Sequence, residues 1–288
     1  MAITINTNIA SMVAQKNLTK ATNSLNQAIE RMTTGYKINR ASDNAAGYSI
    51  AKNWETKLSS LDVAADNAAT GADMLKTMED NYSLITSHLQ RVRDLTEQAA
   101  NGTYGSDSKV AIQAEIEARL KEVDRIAANC EFNGVKLMDG SRTTALNLQV
   151  GLDSTANSKI ALDATLFAKG NVVGLFGTGA TATSISEKCT GIDDAHTDPS
   201  TMLTQIDTAI KNISGRVTKV GAANNSVESA IEQISVQSEN ITSSLSTLKD
   251  ADVASESSKY IQAQILQQAA ATLLSTANQT PSIALNLI

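Results

Sequence analysis

The chain has 288 residues, 42% of them hydrophobic but only 3% aromatic, with a net charge of −6 spread over interspersed acids and bases. Three Phe and one Trp are too few large side chains for the thick core of a compact enzyme, and two Pro leave nearly the whole chain free to be helical. No basic run points to nucleic acid, and no stretch of about 18 or more apolar residues is present to span a membrane.

The N-terminal residues lack the basic start and apolar core of a cleavable signal peptide. The chain is thus expected either to stay in the cytoplasm or to leave by a route that does not read such a peptide. The first element is a helix. Leu18, Ala21, Leu25, Ala28 and Met32 follow a heptad. A second, much longer run carries Leu58, Leu61, Ala65, Ala68, Ala72 and Leu75 at alternating spacings. One additional three-residue step leads to Met78, then Tyr82, Ile85, Leu89 and Val92. Such a slip overwinds a coiled coil locally without ending it. As one helix, residues 44–100 would extend roughly 85 Å at 1.5 Å per residue, which requires a rod.

Asn101-Gly102 and Gly105 end that run. A third amphipathic helix carries Ile112, Ile116, Leu120, Val123 and Ala127, and Phe132-Asn133-Gly134 is expected to cap it. The period then changes to two. Leu146, Leu148 and Val150 alternate with polar residues, and Ile160 and Leu162 keep the same spacing of two after a polar loop, which predicts a β-hairpin over about 145–165. Residues 170–200, rich in Gly, Thr and Ser, read as a variable loop. Helix returns near Thr201, with Ile231, Ile234, Ser238, Ile241, Leu245 and Leu248 at a/d spacing. A final amphipathic run covers 253–277, with Tyr260, Ile261, Ile265, Leu266, Leu273 and Leu274.

The expected fold is mainly α: an antiparallel helical bundle and coiled-coil rod with a small β-hairpin in the middle of the chain. Residues 1–40 and 253–288 together would form a discontinuous terminal coiled coil, and 41–252 the rod. The ends carry the functional signal. No charged residue follows Lys259 in the last 29 positions, and the first 29 hold only Lys16 and Lys20. Helices with narrow apolar stripes are marginal alone and need partners. Depletion of charge is also what the core of an interface shows. Leu18, Leu25, Met32, Ile261, Ile265, Leu266, Leu273 and Leu274 are the candidate assembly residues.

No catalytic constellation stands out, and no cofactor or metal is expected. His88 and His196 do not begin an HExxH motif. His88 reads as a solvated helical residue. His196, beside Asp193, Asp194 and Asp198, offers at most a weak cation site. Cys130 and Cys189 have no metal-ligand spacing; free, semi-buried thiols and a disulfide both remain open.

Several segments resemble one family. They are NRASDNAAG at 39–47, LQRVRDLTEQAANGTY at 89–104, IQAEIEARLKEVDRIAANCEFNGVKLMDG at 112–140, LQVGLD at 148–153, VGAANNSVESAI at 220–231 and QILQQAAATLL at 264–274. In this order and at these distances from both ends they are similar to bacterial flagellins over about 1–165 and 200–288. Two Cys and a Trp are departures from the family's usual composition. The resemblance implies a self-polymerising subunit of the extracellular flagellar filament with a short middle. It implies type III export without a cleavable signal peptide, and an export chaperone acting on about 250–288. It also implies filament cap and hook-associated proteins as partners. Many members are recognised by a host Toll-like receptor; the matching positions are Arg91, Leu95 and Glu115. A hook–filament junction protein is the nearest alternative. A cytoplasmic coiled-coil adaptor would fit the heptads but not the charge-free ends.

Overall fold

The computed structural model describes residues 7–192 and 198–285, with side chains as far as Gln279. Seven helices and two short hairpins are present among them: α1 (Ile9–Thr34), α2 (Ala45–Ala100), α3 (Ser106–Asn129), β1 (Glu131–Phe132), β2 (Val135–Lys136), β3 (Leu146–Gln149), β4 (Lys159–Leu162), α4 (Val172–Phe176), α5 (Ala182–Thr190), α6 (Pro199–Lys249) and α7 (Val253–Leu285). The mainly helical class expected from the sequence is what the chain adopts. The chain divides into two compact units, one of Met1–Leu58 with Ser238–Ile288, the other of Ser59–Gln237.

In the unit made from the two ends, local chemistry sets the helix boundaries. The Asn8 side chain accepts from Ser11 N at 3.0 Å and starts α1. Gly35, at φ 75°, ends it in the left-handed region. The Asn44 carboxamide oxygen accepts from Gly47 N at 2.9 Å and starts α2. Asp252 does the same for α7 through Ala254 N, also at 2.9 Å. Between these helices the two connecting segments are stitched together. Lys37 N donates to Lys249 O at 2.7 Å, and Ala251 N donates to Gly35 O at 2.8 Å. The Lys249 ammonium lies 4.1 Å from the Tyr36 ring centre and 2.6 Å from Glu55 Oε1.

The second unit has a continuous apolar core. Beside the buried Met74 and Leu95, the seam of α2 is formed by Leu61, Ala64, Ala68, Gly71, Leu75, Met78, Tyr82, Ile85, Leu89, Val92, Thr96 and Ala99. Their spacings alternate three and four without interruption. The slip expected near Met78 is therefore absent: the seam passes through Ala64 and Gly71, not Ala65 and Ala72. On α6 the buried Ile206, Ile213, Val220, Val227 and Ile234 recur every seventh residue. Ile116, Leu120 and Val123 supply the face of α3. Ion pairs fasten the helices at the surface, Arg93 to Asp207 at 2.7 Å and Arg91 to Glu115 at 2.9 Å.

The β3–β4 hairpin forms as expected, antiparallel, with Leu146 opposite Leu162 and Leu148 opposite Ile160. It lies against α2 because Gly71 has no side chain. A Cβ there would come within 2.5 Å of Leu148 Cδ1. Tyr82 donates its hydroxyl to Leu166 O at 2.9 Å and so satisfies a buried phenol beneath the segment that follows β4.

Two expectations need correction. Asn133-Gly134 does not cap α3, which ends at Asn129 with Cys130 as its C-cap. With φ of 48° and 76° the pair forms the two-residue turn of the β1–β2 hairpin. Residues 170–200 are not simply loop. They include α4 and α5, and α5 packs on α3. Thr181 and Ser184 form a reciprocal capping box at its start, and Gly191 closes it at φ 66°. Its inner face buries Ile185 and Cys189.

Candidate assembly surface

The α1–α7 pair contains most of the residues singled out from the sequence. Four polar contacts define its alignment. Asn8 Nδ2 donates to Ala277 O at 2.7 Å. Ser11 Oγ donates to Asn278 Oδ1 at 2.7 Å. Gln267 Nε2 donates to Thr22 Oγ1 at 3.1 Å. Arg31 Nη1 lies 3.6 Å from Glu256 Oε1. The helices are thus antiparallel, and residue levels pair by steps. Leu18 comes to the level of Ala270, Ala21 to Gln267, Leu25 to Ala263, and Ala28 to Tyr260. Each alanine meets something larger. Small residues let the helix axes approach, while the larger ones fill the space between.

Within this seam Ala14, Ala21, Ala28, Ala263 and Ala270 are buried. Leu18, Leu25, Met32 and Leu274 are half-buried along it. The buried alanines were not among the candidates, although their strict spacing of seven was available as a signal. The remaining candidates lie outside the seam. Ile261, Ile265, Leu266 and Leu273 are 52%, 60%, 53% and 62% exposed. On α1, Ile9, Met12 and Val13 are exposed as well. The structure thus sorts the eight candidates into two groups, one closing the intrachain pair and one facing outward. A groove of about 440 Å³ runs along one side of the pair between Lys20, Ala28, Arg31, Lys259, Ala263 and Leu266.

The other sequence candidates are on the second unit. Arg91 Nε donates to Glu115 Oε1 at 2.9 Å, an exposed pair linking α2 to α3. Leu95, by contrast, is 2% exposed. In this chain it belongs to the core and does not share a surface with the other two. His88 is half-buried, not fully solvated as expected, and faces the charged groups of Arg119, Glu122 and Arg125. Cys130 and Cys189 are free thiols, both buried. His196, Asp193 and Asp194 lie outside the described residues. Asp198 accepts from Ser200 N at 3.0 Å. Among the described residues no group of His, Cys, Asp and Glu has the arrangement of a metal site. No described helix is long and apolar enough to cross a membrane.

Comparison with known proteins bears directly on these paired ends. Residues 5–143 match the model of the bacterial flagellin N-terminal helical region, and residues 203–288 that of the C-terminal helical region. A flagellin of Listeria monocytogenes is 33% identical over 286 residues, covering 99% of both chains. The chain belongs to the bacterial flagellin family. Polar flagellin F of Vibrio parahaemolyticus is 44% identical over 141 residues, 49% of this chain and 37% of that one. The B-type flagellin of Pseudomonas aeruginosa is 42% identical over 162 residues, 56% and 33% respectively. This flagellin therefore spans about a third of the length of those two relatives but the full length of the Listeria protein. Among solved structures, a Bacillus cereus flagellin aligns with a TM-score of 0.47 at 25% identity, over 62% of this chain and 94% of that one. Family membership sets the chain among structural proteins and not enzymes.

Proposed function

We propose that this chain is the repeating subunit of an extracellular bacterial flagellar filament, polymerising through its paired terminal helices to support motility. One observation carries this. The α1–α7 seam is already filled from within the chain, yet α7 still turns Ile261, Ile265, Leu266 and Leu273 outward, each more than half exposed. Fully burying such a side chain contributes roughly 1.5–3 kcal/mol, so the exposed remainder of each is worth on the order of 1 kcal/mol. Four together, repeated at every subunit contact, favour the docking of a second copy, with the rest of the interface offsetting the cost of association. A face that binds a different face of the next copy propagates as an open helix when the rotation between copies does not close a ring.

Export fits the same construction. The α1–α7 pair rests on alanines and half-buried leucines, so little is lost when the ends are kept apart before assembly. Residues 250–288 are the segment we assign to an export chaperone, with passage through a type III export apparatus. Filament cap and hook-associated proteins would meet the same paired ends. The hook–filament junction alternative also has such ends; it differs in not extending into long filaments by itself.

The test is deletion of 253–288. The second unit should remain folded and helical by circular dichroism, while electron microscopy under polymerising conditions shows no filaments. Filaments from the truncated chain would refute the assignment. Long filaments from the intact chain alone would exclude the junction alternative.

A second reading concerns the exposed Arg91–Glu115 pair, which we assign to recognition by a host Toll-like receptor, with Leu95 holding α2 from beneath. Arg91→Ala and Glu115→Ala should each lower the response of receptor-expressing reporter cells at least several-fold while leaving the circular dichroism spectrum unchanged. Unaltered responses would remove this reading.

A further inference from the structure

The apolar seam between α1 and α7 does not specify its own register. Its small residues recur every seventh position on both helices, Ala14, Ala21 and Ala28 on one, Ala263, Ala270 and Ala277 on the other. Sliding α7 by one heptad in either direction preserves the alternation of small against large. In one direction Leu18 meets Ala263 and Ala21 meets Tyr260. In the other, Leu25 meets Ala270 and Ala21 meets Leu274. Each slip moves one helix along the other by roughly 10 Å. Hydrophobic complementarity alone therefore leaves three alignments nearly equivalent.

The charged residues are not equivalent. Glu256 has a side chain only 6% exposed, held between Arg31 at 3.6 Å and Lys259 at 2.7 Å. It is the sole acidic side chain buried among the described residues. Slipped one way, Glu256 faces Leu25. Slipped the other way it passes the end of α1, and Arg31 faces Ala263 and Gln264. Either shift breaks the pair, and removing one partner of a buried ion pair is strongly unfavourable. A single polar interaction at a seam position is a known means of fixing coiled-coil alignment at some expense in stability.

We propose that Arg31 and Glu256 are the residues that specify the α1–α7 register, with Lys259 completing the charge balance. The backbone bonds from Lys37 to Lys249 and from Ala251 to Gly35 lie at the same end and act in the same sense. Gln267 with Thr22 adds a weaker mark further along. The consequence for assembly, which rests on the function proposed above, is positional. A slip displaces Ile261, Ile265, Leu266 and Leu273 by roughly 10 Å along α1, so the spacing between this outward face and the exposed Ile9, Met12 and Val13 changes.

The register is read with paired cysteines introduced into the full-length, unpolymerised chain carrying Cys130→Ala and Cys189→Ala, so that the native free thiols do not compete, and refolded from denaturant under mild oxidation. A disulfide needs Cα atoms within about 7 Å, which separates registers 10 Å apart. Leu25→Cys with Ala263→Cys reports the native alignment. Leu25→Cys with Ala270→Cys, and Leu18→Cys with Ala263→Cys, report the two slips. The parent should cross-link only in the first pair. With Arg31→Ala and Glu256→Ala together, the slipped pairs should rise at least tenfold. The charge-exchanged combination, Arg31→Glu with Glu256→Arg, should return them to background. If the double variant loses helicity, Glu256→Gln, similar in shape but uncharged, is read in the same way. Slipped cross-links that stay at background in a helical variant overturn the proposal, as does free slipping in the parent. Because the readout precedes polymerisation, a chain with correct register that forms no filament counts against the assembly assignment and not against this one.

Discussion

At the scale of single residues, Gly71 is the position where one hydrogen atom in place of a methyl group decides a contact. Alanine is favoured over glycine within a helix by about 1 kcal/mol. Yet Gly71→Ala should be destabilising, by about 1–2 kcal/mol in urea unfolding, because its Cβ meets Leu148. Adding Leu148→Ala should remove most of that coupling, and additive effects would contradict the packing described. His88 supplies a second test. Burial first, then the Arg119 guanidinium, depress it below its ordinary value of 6.5, against the opposing pull of Glu122. With its folded value depressed, the unfolded chain takes up the proton first. Stability is therefore undiminished above the ordinary value and declines as pH falls below it, until the folded value is reached. His88→Gln should abolish that part of the pH dependence. Burial also pushes the Cys130 and Cys189 thiols up to about 11, so native-state labelling at pH 8 should be slow and governed by local opening.

At the scale of elements, α5 is held by its caps and its contact with α3. Thr181→Ala should weaken it by about 1 kcal/mol. Because Cys189 lies on its inner face, this change should accelerate thiol labelling at Cys189 and leave Cys130 unaffected; equal acceleration at both would mean that α5 does not open by itself. This helix was missed in the sequence because Gly, Thr and Ser dominate its surroundings. Its one local sign was the Thr181–Ser184 capping spacing, short of the usual Glu or Gln at the second position. The seam of α2 was legible in period but not in phase. Ala64 and Ala65 satisfy two frames equally, and at 71–72 the apolar Ala72 outweighs Gly71, which is not counted as apolar although it is buried. Asn133-Gly134 suits both a helix cap and a hairpin turn, and only pairing between Phe132 and Val135 decides it. The long helices, the β3–β4 hairpin and the charge-poor ends were plain, since each repeats its signal over many residues. The division of the end candidates into inward and outward groups was not, because both groups are Leu and Ile at helical spacing. Only the partner's position separates them.

At the scale of the whole molecule, the two units differ in what sustains them. The second unit buries tyrosine, phenylalanine, leucine and isoleucine completely, whereas the first relies on alanines and half-exposed leucines. Heating the unpolymerised chain should give two transitions, the earlier one from the paired ends. Deleting 253–288 should remove that transition and leave the later one within a few degrees of its place. A single transition that shifts as a whole would show instead that the units unfold together.

The absence of charge after Lys259 has a consequence for how ions in solution act on this chain. Simple salt weakens attraction between exposed charges by screening. The outward face of α7 offers nothing to screen. Its association should thus be indifferent to moderate sodium chloride. Strongly excluded salts such as sulfate raise the penalty on exposed apolar surface and should promote it. Light scattering across a series of the two salts at matched ionic strength would show the divergence, and parallel curves would place the driving force in charges elsewhere on the chain.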